Sequence, residues 1–112
     1  MVRMNDGLPF LLVRARAKPE ARDRFRTWFR DVHLRDVGRI PGMERLQTGQ
    51  TAGGTMLGIY SFESTDAVEG ALGSPEASYA RGTWEQWARD LEELHIEMFA
   101  PLFPLPIYQS AT

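Results

Sequence analysis

Only two histidines occur in the 112 residues, and one of them stands in a polar cluster that could do chemistry. His33 lies in WFRDVHLRDVGRIPGM (28–43), between Asp31 and Asp36 and ahead of an Ile40-Pro41-Gly42 break. An imidazole exchanges protons near neutral pH, so His33 is a candidate acid or base. The dipole of a helix ending there would favour its protonated form. It could equally cap helix carbonyls or pair with Asp31 or Asp36. Arg14 and Arg16 share a predicted strand face with Phe10 and Leu12. A guanidinium turned inward keeps its charge and needs a carboxylate or an anionic ligand. Glu97 on the last predicted strand could supply that carboxylate. Otherwise the arginines form a clamp for a carboxylate, phenolate or enolate, or reach solvent at a rim. Tyr60 could donate to an oxyanion or bond Arg14. The expected catalytic set is therefore His33, Tyr60 and Arg14. Arg16, Arg45, Gln47, Leu12, Met56, Tyr79 and Glu97 are expected to line the binding site.

Other chemistries have less support. The absence of cysteine excludes disulfides and thiolate zinc sites. His33 and His95 do not form a close ligand pair, and Asp36 or Glu97 would add only generic spacing, so no metal site is expected. His95 falls on the apolar stripe of a predicted helix, the position of a core residue. Phosphate loops, nucleophile motifs and dinucleotide fingerprints are lacking, and no cofactor is expected.

The elements that must position these residues follow from periodicity. PFLLVRARA (9–17) alternates like a strand, with Leu11, Val13, Ala15 and Ala17 on one face and Phe10, Leu12, Arg14 and Arg16 on the other. Pro19-Glu20 suits a helix start, and Ala21, Phe25, Trp28, Phe29 and Val32 form one apolar stripe. Gly38 and Pro41-Gly42 end that helix. Residues 43–49 and 55–62 are strand candidates joined by the hairpin-like QTAGGT. A short helix runs from Ser64 or Thr65 to Leu72, and Gly73-Ser74-Pro75 interrupts it. Thr83-Trp84-Glu85-Gln86 has the form of a capping box, which predicts a longer helix carrying Trp84, Trp87, Ala88, Leu91, Leu94 and His95. A last strand is expected within Glu97–Leu105.

This order predicts an α+β, ferredoxin-like βαββαβ fold, a four-stranded antiparallel sheet with both helices on one face. The other face would carry Phe10, Leu12, Met56, Tyr60 and Phe99 uncovered, which a homodimer pairing the bare faces would cover. A single domain fits the length, with a core over about 9–104 and residues 1–8 and 105–112 as flexible or dimer-wrapping tails. The net charge of −2 predicts no nucleic-acid partner, although 11 of the 13 Lys and Arg fall within residues 1–56. No apolar run approaches a membrane span, so a cytoplasmic protein without a membrane partner is expected.

The chain resembles the dimeric α/β-barrel superfamily, and within it the EthD-like branch. WFRDVHLRDVGRIPGM, LGIYSFES and GSPEASY carry the resemblance, which spans roughly residues 9–104. Members similarly have a histidine late in the first helix, a Pro-Gly break, a tyrosine in the third strand and a Ser-Pro segment in the second helical region. The resemblance implies a barrel closed by two sheets, each half enclosing a pocket for a small hydrophobic or aromatic anionic molecule. Members include cofactor-free oxygenases, polyketide cyclases, isomerases, haem-degrading enzymes and proteins of no known activity. The expected function is cofactor-independent oxygenase, cyclase or isomerase chemistry by acid and base groups, or non-catalytic binding by an accessory dimer. Haem binding would require His95 as the axial ligand, and the asparagine-tryptophan-histidine pattern of haem-degrading members is not apparent here.

Overall fold

The computed structural model describes residues 7–102. Four strands, β1 (Phe10–Ala17), β2 (Met43–Gln50), β3 (Met56–Phe62) and β4 (Leu91–Phe99), form one antiparallel sheet in the order β2-β3-β1-β4. Between β1 and β2 run a short 3-10 turn, α1 (Arg22–Trp28), a π turn (Phe29–His33) and α2 (Leu34–Gly38). Between β3 and β4 lie α3 (Thr65–Leu72), α4 (Pro75–Gly82) and a 3-10 turn (Thr83–Trp87). This is the ferredoxin-like α+β arrangement that the residue pattern predicts. No helix among the described residues is long and apolar enough to cross a membrane. The expected terminal tails lie almost wholly outside the described residues.

Local signals explain the helix ends. Ser64 Oγ accepts from the Ala67 N–H at 3.2 Å and starts α3. Ser74 works in both directions. Its hydroxyl donates to the Ala71 carbonyl at 2.7 Å and accepts from the Ala77 N–H at 3.1 Å, closing α3 and opening α4. Gly42, with φ +91°, turns the chain from α2 into β2, and a side chain there would press on Ala67.

Between helices and sheet sits an aromatic core. Phe25, Trp28, Phe29, Trp84 and Trp87 pack ring on ring, with centroids as close as 5.1 Å for Phe25–Trp87 and Trp28–Trp84. Burying each such ring contributes roughly 2–3 kcal/mol, and edge-on pairs add about 1.

Three expectations are corrected. The long helix over Thr83–His95 is absent. Thr83 Oγ donates back to the Ala80 carbonyl at 2.7 Å, ending α4 instead of capping a new helix. Trp84 and Trp87 belong to the 3-10 turn, whereas Leu91 onward is strand, so the final strand starts six residues before Glu97. His95 is therefore not a core residue: its side chain is 62% exposed and its Cα lies opposite Arg14. The faces of β3 are also exchanged. Leu11 pairs with Tyr60, Val13 with Gly58 and Ala15 with Met56, so Tyr60 and Met56 lie under the helices. Leu57 and Ile59 take their place on the open face, with Phe10, Leu12, Arg14 and Arg16.

Candidate functional site

The π turn decides where His33 points. Phe25, Phe29, His33 and Val37 are all buried at every fourth position. In a straight α-helix such a row drifts roughly 40° around the axis per step. The wider Phe29–His33 turn absorbs the drift, so His33 faces inward and is only 3% exposed. Such single π turns often mark functional positions.

Trp28 stacks on the imidazole at 5.2 Å between centroids, Trp84 meets it edge-on at 4.9 Å, and Phe29 flanks it at 4.9 Å. Nε2 lies 3.0 Å from the Tyr60 hydroxyl, while Nδ1 has no hydrogen-bond partner among the described residues. Gly58 makes this bond possible. Tyr60 folds back along β3 over Gly58, whose missing side chain leaves room for the phenol.

Burial sets the charge of both groups. Desolvation lowers the His33 pKa from 6.5 to about 4 and raises that of Tyr60 well above its ordinary value. Burial outweighs the helix dipole, so His33 is neutral at neutral pH, contrary to the expected protonated form. Asp31 and Asp36 do not pair with it. Asp31 is bonded to Arg30 at 2.7 Å, and Asp36 lies 3.7 Å from Arg35.

The pair borders a cavity of about 60 Å³ between sheet and helices. Leu11, Val13 and Ile96 line its sheet side, and Val37, Ile40, Leu72, Ala77, Ala80 and Trp84 its helix side. Arg81 stands at the edge, 3.4 Å from the Leu72 carbonyl. The volume holds a few waters or the end of a larger molecule. Ile96 is 46% exposed, so the lining continues to the surface.

Of the expected residues the structure brings His33 and Tyr60 together at this cavity, while Leu12, Arg14 and Glu97 gather on the opposite face around a separate opening of about 240 Å³ shared with Glu93 and His95. Arg14 and Arg16 lie on the opposite face, near carboxylates supplied by β4. Arg14 is 3.6 Å from Glu93, and Arg16 is 3.4 Å from Glu92 and 3.3 Å from Glu93. Glu97, the expected partner, lies opposite Leu12 instead. Arg45 and Gln47 of β2 align with Ser61 and Ile59, on that same open face. Met56 is buried under the helices outside the cavity lining, and Tyr79 is 64% exposed on α4. The residues missed were Gly58, Trp84 and Arg81. For Trp84 the signal was present in its helical spacing with Ala77 and Ala80. Among the described residues no group of three or more His, Asp or Glu is arranged to hold a metal ion.

No family profile and no curated protein sequence matches the chain. Solved structures do. SnoaB, a cofactor-independent oxygenase from Streptomyces nogalater, is similar with a TM-score of 0.63 and 18% identity, over 89% of this chain and 98% of that one. An EthD-family protein from Bacillus halodurans superposes with a TM-score of 0.59 at 17% identity, over 80% of this chain and 97% of its own. An antibiotic biosynthesis monooxygenase gives 0.61 at 11% identity, over 88% and 100%. The strand order, the helices on one sheet face and these likenesses together give the chain the ferredoxin-like α+β fold that these proteins share.

Proposed function

We propose that the cavity under the helices binds a small apolar or aromatic molecule, and that His33 and Tyr60 act on its one polar group without a cofactor. The observation that carries this reading is a bonded polar pair, with one polar atom to spare, set in a wall that is apolar apart from Arg81 at its edge. With the proton on Nδ1, Tyr60 donates to Nε2 and the Nδ1–H lacks an acceptor. With the proton on Nε2, that N–H donates to Tyr60, whose own O–H is then free for a ligand carbonyl or hydroxyl. In the first case the ligand accepts from Nδ1–H; in the second it accepts from the Tyr60 O–H while Nδ1 keeps an unfilled lone pair, so each tautomer leaves a group for a ligand. Negative charge developing on a bound enolate or phenolate would stabilise an imidazolium beside it. That offsets the burial that holds the resting His33 near pKa 4.

Titration of a panel of phenols and hydroxynaphthalenes, followed by amide and imidazole NMR signals, tests the pocket. Binding is expected to shift the resonances of His33, Tyr60 and Trp84, and Tyr60→Phe is expected to weaken it roughly tenfold. Signals unmoved at those residues would overturn the assignment. Oxygen uptake or product formation with the bound compounds, lost in Tyr60→Phe and His33→Gln, would make the protein an enzyme. Binding without consumption would favour the accessory, non-catalytic reading, which the low basicity of His33 also supports.

The same reading includes a homodimer. Phe10, Leu12, Leu57, Ile59 and Phe99 share the face that no helix among the described residues covers, with Phe10 and Phe99 stacked at 4.6 Å. Sedimentation is expected to give twice the mass of one chain, and Leu12→Glu is expected to shift the species toward monomer. A wild-type monomer at micromolar concentration would end this part of the proposal.

A further inference from the structure

A second opening lies between α2 and α4, lined by Asp36, Arg39, Pro75, Glu76 and Tyr79, none of which borders the His33 cavity. We propose that this cleft binds a small organic cation, an amidinium, guanidinium or primary ammonium group held by Asp36 and Glu76 against the ring of Tyr79. Asp36 carries the argument. Its side chain is 2% exposed, yet its charge is poorly matched. Oδ1 lies 3.7 Å from Arg35 Nε, beyond hydrogen-bond length, and Oδ2 accepts from no group among the described residues. A buried carboxylate oxygen without a donor is costly, and the missing donor is most simply brought by a ligand.

The neighbouring backbone does not provide it. α4 begins beside the cleft, but Pro75 has no N–H, the Ala77 N–H is bonded to Ser74 Oγ, the Ser78 N–H to the Ser74 carbonyl, and the remaining first-turn donor, the Glu76 N–H, is not bonded to Oδ2. Asp36 itself lines the cleft, and because carboxylate χ2 is a broad torsion the proposed ligand would draw Oδ2 toward it by rotation. Glu76 adds a second negative charge, and Tyr79, 64% exposed, offers an aromatic face of the kind that attracts cations. Two acids without a third ligand fall short of a metal site among the described residues, whereas they suit a cation that makes several directed hydrogen bonds. The cleft volume of about 300 Å³ matches a one-ring ligand. Arg39, on its rim, is the like charge that any such ligand must tolerate.

Benzamidine and its neutral isostere benzamide, titrated onto the intact protein by calorimetry and amide NMR, test the proposal. Benzamidine is expected to bind at least about tenfold more tightly, with shifts at Asp36, Glu76 and Tyr79. Asp36→Asn and Glu76→Gln should each weaken it, the former by roughly tenfold. Tyr79→Ala should weaken it several-fold and Arg39→Ala should strengthen it. Equal affinity for both probes, binding by neither, shifts at His33 instead, or binding only once Arg39 is removed would overturn the site. Should Asp36→Asn fail to fold, the exposed Glu76 and Tyr79 variants decide.

Discussion

Replacing Gly58 with alanine is expected to lower the unfolding free energy by about 2–3 kcal/mol, although alanine in a strand is ordinarily the better residue by about 0.5–1. The reason is local. Positions 58 and 60 share the helix-facing side of β3, and the Tyr60 ring lies back over Gly58. A Cβ there overlaps the hydroxyl and ring of Tyr60, which is 1% exposed and has little room to move. The phenol must swing away from His33, leaving two buried polar groups unpaired at about 1–3 kcal/mol each, partly relieved by relaxation. Urea unfolding checks the loss. A double-mutant cycle checks its cause, because in a Tyr60→Ala background the same change at Gly58 is expected to be neutral or slightly stabilising. A neutral Gly58→Ala in the wild-type background would show that the phenol lies elsewhere.

The second large effect is on pH dependence. His33 titrates near 6.5 in the unfolded chain and near 4 in the folded protein, because burial penalises the imidazolium. Between those values the unfolded chain holds more protons, so stability rises with pH. The contribution is fully present above pH 6.5, declines as pH falls toward 4, and amounts in total to about 3 kcal/mol. Carboxylates titrate in the lower part of the same window, so wild type and His33→Gln are to be compared. The variant is expected to lose less stability than wild type between pH 7 and pH 4.5, by about 3 kcal/mol at the most. Parallel stability curves for the two proteins would mean that His33 is hydrated or charge-paired when folded.

The fold was legible wherever periodicity was unambiguous. β1 alternates cleanly, and its faces follow from Leu11, Val13 and Ala15 against Arg14 and Arg16. β3 could not be oriented in the same way. Met56, Leu57, Ile59, Tyr60 and Phe62 are apolar on both sides of the strand, so hydrophobicity is silent and only pairing with β1 decides. That exchange of faces moved Tyr60 from beside Arg14 to beside His33. The absent helix has a different cause. Trp84, Trp87, Leu91 and Leu94 fall at helical spacing across a boundary between two elements. The alternation of Glu93, His95 and Glu97 with Leu94, Ile96 and Met98 was the strand signal that the longer period masked. The partners of Arg14 and Arg16 were lost with it, because Glu93 points to the open face only as part of a strand. The depth of His33 was not legible, since no propensity marks the π turn that rotates it inward.

The aromatic lining has one more consequence. The sequence contains three tryptophans, and all three belong to the buried ring cluster, with Trp28 and Trp84 in direct contact with the imidazole. Two of the three indoles behind the ultraviolet emission of the chain therefore touch a group singled out for chemistry, and the third packs against one of them. Protonation of the imidazole or arrival of a guest alters the colour and brightness of that light, and the protein carries its own optical gauge with no label attached.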